Sequence, residues 1–232
     1  MKTATTIEIP AWIFCFSLLI SCSTPSKNAT AVEESVIPEE VTRKDERKTI
    51  LFFGNSITAG YQLDLEEAFP AIIQNWLDTL GYNYRVINAG LSGETTASGK
   101  NRIEWVLKTF PDVFVLELGA NDGLRGLPLE ESRKNLQEII DAVKAVNPEV
   151  KILLAGMQVP PNLGQDYTKS FRTIFPELSE SNETALIPFI LEGVAGDPKL
   201  NLSDGIHPTP EGHQILASTV WKYLVPLLDN PS

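Results

Sequence analysis

The sequence predicts an α/β chain, with a parallel sheet covered by helices on both faces. Three observations carry that expectation. Short apolar runs of strand length alternate with longer segments of helical period. The runs are continuously apolar, as strands buried on both faces are. Several of them end directly on glycine or Asn-rich turns. Alternation of this kind needs crossover connections, and crossovers join parallel strands.

The elements follow in order. Ile50-Leu51-Phe52-Phe53 reads as a buried strand ending at Gly54. Tyr84–Ile87 is a second, ending at Asn88-Ala89-Gly90, and Val113–Leu118 a third, ending at Gly119. Lys151–Ala155 is a fourth and Ala185–Phe189 a fifth. Leu136, Ile139, Ile140, Val143 and Val146 keep the i, i+3, i+4, i+7 spacing of one helix face. Ile215, Leu216, Thr219, Val220, Tyr223 and Leu224 do the same near the end, where Pro226 should stop the helix.

Composition narrows the function. The 232 residues hold 19 Lys+Arg against 30 Asp+Glu, a formal net charge of −11. A surface this acidic repels phosphate backbones, which argues against a nucleic-acid partner. No apolar run reaches the roughly 18 residues that a membrane-crossing helix needs. The two cysteines, Cys15 and Cys22, both precede the expected folded body, so neither a disulfide nor a Cys-rich zinc site is expected within it.

The N-terminal region divides in two. Ala11–Ile20 is a ten-residue apolar run, the length of a signal h-region, with Lys2 before it. Leu19-Ile20-Ser21-Cys22 resembles a bacterial lipobox, so residues 1–21 are expected to be a lipoprotein-type signal and Cys22 the lipidated residue. A plain secretory signal with an incidental Cys22 is the alternative. Residue 23 is Ser, not the Asp that retains lipoproteins in the inner membrane of enteric bacteria. Residues 22–48 lack aromatic side chains and are rich in charge, as a solvated tether would be. Such a segment spans roughly 25–30 Å. The body is expected over residues 49–229, long enough for a sizeable core.

In parallel sheets the ligand sits outside the carboxyl ends of the strands. After the first strand comes Gly54-Asn55-Ser56-Ile57-Thr58-Ala59-Gly60-Tyr61. Ser56 there is either a nucleophile or a helix N-cap. Gly93 and Asn121, after the second and third strands, are either oxyanion donors or ordinary turn and capping residues. Asp204-Gly205-Ile206-His207-Pro208 precedes the last helix, with Asp and His close enough for one carboxylate to reach one imidazole nitrogen. His207 alone would pass for a structural loop histidine. Together the four segments supply one candidate for each part of acyl-transfer chemistry: nucleophile, base, orienting acid and oxyanion donors.

The same segments resemble, in order, the conserved blocks of the SGNH (GDSL-type) hydrolases: Gly54-Asn55-Ser56, Gly93, Gly119-Ala120-Asn121-Asp122, and Asp204-Gly205-Ile206-His207-Pro208. Thr58-Ala59-Gly60-Tyr61, Ser92-Gly93-Glu94-Thr95-Thr96 and Asn121-Asp122-Gly123-Leu124-Arg125-Gly126 look closest to the bacterial arylesterase and thioesterase/lysophospholipase branch. The resemblance implies a three-layer α/β/α flavodoxin-like sandwich. It implies a serine esterase acting through Ser56, His207 and Asp204, with the oxyanion held by the Ser56 and Gly93 N–H groups and the Asn121 amide. Neither metal nor other cofactor is required. Two positions depart from the usual block: Asn55 stands where Asp is usual and Ile57 where Leu is. Asn55 is expected to keep most of the hydrogen bonds within its loop.

Leu124, Leu127, Met157, Val159, Pro160, Pro161 and Leu163 are candidates for an acyl-binding wall, or for ordinary loop packing. Leu124, Met157 and Pro160 represent it as substrate-binding residues. Arg125 would meet an anionic head group or pair with Glu130. His213 is read as structural. Three functions compete. The first is an envelope serine esterase taking small-molecule or lipid acyl esters, lysophospholipids and thioesters among them, and held to the membrane through Cys22. The second is a carbohydrate O-acetylesterase acting on glycans, disfavoured by the few aromatics (Tyr61, Tyr167) in the loops. The third is a non-catalytic ligand-binding module.

Overall fold

A computed structural model describes residues 46–231. The expected signal at residues 1–21, the lipidation residue Cys22 and most of the tether lie outside them. β1 is Lys48–Gly54, β2 Tyr84–Asn88, β3 Val113–Glu117, β4 Lys151–Ala155 and β5 Ala185–Ile187. β1 therefore starts at Lys48, the last residue assigned to the tether. Its N–H donates to Asn83 O and its side chain pairs with Asp229 near the other end of the fold. β5 stops at Ile187, short of the expected Phe189, because Pro188 has no N–H to continue a ladder.

All the strands are parallel, in the order β2-β1-β3-β4-β5. The helices are α1 (Ser56–Ala59), α2 (Phe69–Thr79), α3 (Thr96–Val106), α4 (Ala120–Leu124), α5 (Leu129–Val146), α6 (Gln165–Asn182) and α7 (Pro210–Leu224). The chain moves one way across the sheet from β1 to β2, then reverses through β3, β4 and β5. With right-handed crossovers, that reversal puts α2 on one face and α3, α5 and α6 on the other. α7 packs beside α2 and completes its layer. The result is the α/β/α sandwich of flavodoxin-like order, with its switch point between β1 and β3.

Three of the longer helices, α2, α3 and α6, were not expected from the apolar periodicity. α3 has a thin stripe, burying only Thr96, Gly99, Ile103 and Val106. Its Gly99 is needed for packing: a Cβ there would lie 2.5 Å from Leu118 Cδ1. α6 carries Pro176 in its interior yet buries Phe171, Ile174, Phe175 and Leu178. α2 opens Phe69-Pro70, where a missing N–H costs no helical bond. At the other end, Pro226 closes α7 through a single 3₁₀ turn, Val225–Leu227.

The core is the sheet and the helix faces against it. Ile50, Leu51, Phe52 and Phe53 are fully buried, as are Phe114, Val115 and Leu116. Each such side chain contributes about 1.5–3 kcal/mol of burial. Phe53 stacks on Phe114 at 5.8 Å and Phe52 meets Phe69 edge-on at 5.4 Å. This rigid layer fixes the carboxyl ends of β1, β2 and β3, from which the site is built.

Candidate active site

The turn that carries Ser56, the candidate nucleophile, follows β1 directly. Asn55, not Ser56, caps α1: its Oδ1 accepts from Ile57 N at 2.9 Å. Ser56 is thereby free of a capping role. Its Oγ lies 2.9 Å from His207 Nε2, and His207 Nδ1 lies 2.7 Å from Asp204 Oδ2. The loop that carries Asp204 and His207 is closed at its base, where Leu202 N donates to His207 O and Thr209 N to Leu200 O. Within it, Asp204 Oδ1 accepts from Ile206 N at 2.8 Å and His207 N at 3.0 Å. The His207 N–H above all, then its ring and the Ile206 N–H, hold the Asp204 carboxyl down to about 2. An ionised Asp204 requires the proton on His207 Nδ1, which leaves Nε2 as the acceptor facing Ser56 Oγ.

The oxyanion candidates come from three strand ends. Among the described residues, the Ser56 and Gly93 N–H groups donate to no protein acceptor. Gly93 has φ of +80°, a conformation that favours glycine, and a Cβ there would meet nothing within 4 Å. Asn121 donates one Nδ2 hydrogen to Glu94 O at 3.1 Å and keeps the other. Glu94 is buried in a bidentate pair with Arg102, whose guanidinium also donates to Ala89 O and lies over the Phe53 ring at 4.5 Å. Asp122 joins the last two segments by accepting from Thr96 N, Thr96 Oγ1 and Ser132 Oγ.

A cavity of about 220 Å³ adjoins this centre. Leu124, Met157 and Pro160 line it, with Val159, Phe189 and Leu191. Ile57 and Ile206, the neighbours of Ser56 and His207, place it beside the hydroxyl. Leu127, Pro161 and Leu163 are not among its lining residues. Arg125 does not pair with Glu130: its Nη2 donates at 3.3 Å to the carbonyl of Gly93, the glycine expected at the oxyanion. His213 is buried on α7, where Nδ1 accepts from Phe69 N.

Two contacts at the site were not expected from the sequence. The Tyr61 ring lies 4.4 Å from the imidazole of His207. Glu117, at the end of β3, is buried under the turn that carries Ser56, and Asn55 Nδ2 donates to it at 2.6 Å. Glu117 had a signal: one acid inside the apolar run Val113–Leu118. Tyr61 had none, since its contact joins residues far apart in the chain.

Residues 52–215 match the model of the GDSL-like lipase/acylhydrolase family, and the chain belongs to that family. It is 40% identical over 189 residues to Esterase TesA of Pseudomonas aeruginosa, covering 81% of this chain and 93% of that protein. It is 37% identical to an arylesterase of Vibrio mimicus, over 76% of this chain and 88% of that one. Among solved structures, the crystal structure of TesA aligns with a TM-score of 0.74 at 40% identity, covering 78% of this chain and all of that chain. AlinE4, an SGNH-hydrolase family esterase, aligns with a TM-score of 0.65 at 43% identity, over 79% and 98% of the two chains.

Proposed function

We propose that the chain is a serine esterase that hydrolyses acyl esters through a Ser56–His207–Asp204 triad. The carrying observation is the hydrogen-bonded relay from Ser56 Oγ through the imidazole to the Asp204 carboxylate. Ser56 Oγ attacks the acyl carbonyl as its proton passes to His207 Nε2. The carbonyl oxygen becomes an oxyanion held by the Ser56 and Gly93 N–H groups and the Asn121 amide. His207 returns the proton to the leaving alcohol or thiol, and the acyl-enzyme forms. Water, deprotonated by the same imidazole, then releases the acid and restores the serine.

The apolar cavity takes the acyl chain, with Leu124, Met157 and Pro160 in its wall. At roughly 30 Å³ per heavy atom, 220 Å³ accommodates a chain of about six to eight carbons. Aryl and short-to-medium acyl esters fit that space; lysophospholipids and thioesters bring the same acyl group on another leaving group. An acetyl group would leave most of the cavity unfilled, which disfavours a carbohydrate O-acetylesterase. The activity belongs to an envelope protein held at the membrane by lipid on Cys22.

A series of p-nitrophenyl esters of increasing chain length, run beside acetylated sugars, tests the substrate class. Rates should peak at medium chain length, and Ser56→Ala should remove nearly all of them, by on the order of 10⁶ in kcat. Retained activity in purified Ser56→Ala, or a preference for acetylated sugars, would overturn the proposal.

A further inference from the structure

Glu117 is 1% exposed and carries an acid into the middle of the sheet. It stands on β3 in register with Gly54, the residue before the nucleophile turn. Four donors meet its carboxylate. Asn55 N donates to Oε2 at 3.1 Å and Asn55 Nδ2 to Oε1 at 2.6 Å. Thr58 N and Oγ1 both donate to Oε2, at 3.2 and 2.7 Å. The donors come from the two residues that bracket Ser56-Ile57. The Asn55 amide cannot be turned over, because its oxygen is engaged by Ile57 N. Gly54 makes the approach possible: a Cβ there would lie 2.5 Å from Glu117 Oε2 and 2.1 Å from Thr58 Oγ1.

The surroundings hold no compensating cation among the described residues. β1 brings Gly54, and β4 pairs alongside up to Leu154, opposite Leu116. Glu94 is already paired with Arg102. The titratable group joined to the turn is His207, through Ser56 Oγ. A protonated Glu117 would set an O–H against one of four donors and lose that bond.

We infer that ionised Glu117 is the positioning residue of the nucleophile turn, and that the neutral amide of Asn55 lets it stay ionised without sharing a proton. Burial works the other way, pushing the Glu117 carboxyl up to about 7. An acid at position 55 would put two carboxyls 2.6 Å apart, and such a pair cannot ionise twice at ordinary pH. It would hold the turn only while it kept one proton. The inference rests on Ser56 being the nucleophile.

Three variants test it: Ser56→Ala, Glu117→Gln and Asn55→Asp. Each is measured for kcat and KM across pH and for its thermal midpoint. Glu117→Gln should lose about 10- to 100-fold in kcat, the worth of one charge-assisted hydrogen bond, with KM nearly unchanged. Asn55→Asp should match the wild type on the acid side and lose activity as pH rises, an alkaline limb that the wild type lacks. An active Ser56→Ala would overturn the nucleophile assignment and this inference with it. An inactive Ser56→Ala, beside Glu117→Gln with wild-type kcat or Asn55→Asp with a wild-type pH profile, would overturn this inference alone. If Glu117→Gln does not fold, the Asn55→Asp profile decides.

Discussion

Asp204 lies near the surface, with its side chain 37% exposed, yet three donors converge on it and keep it ionised at any working pH. Its charge and its position perform separate tasks. Two backbone donors fix the carboxylate, and the remaining oxygen selects the His207 tautomer. Asp204→Asn tests the second task. An amide facing Nδ1 would donate to it, move the ring proton to Nε2, and leave no acceptor for the Ser56 proton. The expected loss in kcat is up to about 10⁴, as in the best-studied triad. Near wild-type kcat would mean that His207 works without its carboxylate.

At the scale of elements, α2 and α7 are tied by one unusual bond. The first N–H of α2, on Phe69, has no side-chain cap within its own segment and donates instead to His213 Nδ1 on α7. Burial, and secondarily the nearby His207, holds the His213 imidazole down to about 4. The unfolded chain, with an ordinary imidazole, takes up this proton first. Stability from the neutral ring is thus complete above about 6.5 and lost as pH falls towards 4, by about 3 kcal/mol in all. Glu117 has the opposite slope between about 4.5 and 7, because its folded form holds the proton more tightly than the unfolded one. The His213 effect is therefore read as a difference between proteins. The stability advantage of the wild type over His213→Gln at pH 7 should shrink by that amount at pH 4, by denaturant unfolding. A difference constant with pH would exclude His213 as the group responsible.

For the whole molecule, net charge and anchoring bear on the same question. A chain carrying −11 gains nothing electrostatically at an anionic bilayer, so stable residence there depends on hydrophobic anchoring. Lipid at Cys22 is the proposed anchor. Cys22→Ser should shift the protein from the membrane to the soluble fraction without changing kcat on a soluble ester. A variant still found wholly with membranes would refute anchoring through Cys22.

The sequence by itself determined the parallel α/β class, all five strands to within two residues at either end, and the segments that carry Ser56, Gly93, Asn121, Asp204 and His207. These are local properties: continuous apolar runs, turn glycines, and a carboxylate three residues from an imidazole. The tertiary structure decided the strand order, and with it the meeting of Ser56 with His207, 151 positions away. It also decided where Arg125 is engaged, which apolar loop residues reach the cavity, and that Tyr61 lies against His207. Glu117 falls between the two. An acid amid Val113–Leu118 was visible as an exception, but its purpose depends on Asn55 and Thr58, about 60 residues earlier. Partners that far apart are brought together by sheet register and helix packing, and no local pattern in the sequence records that register.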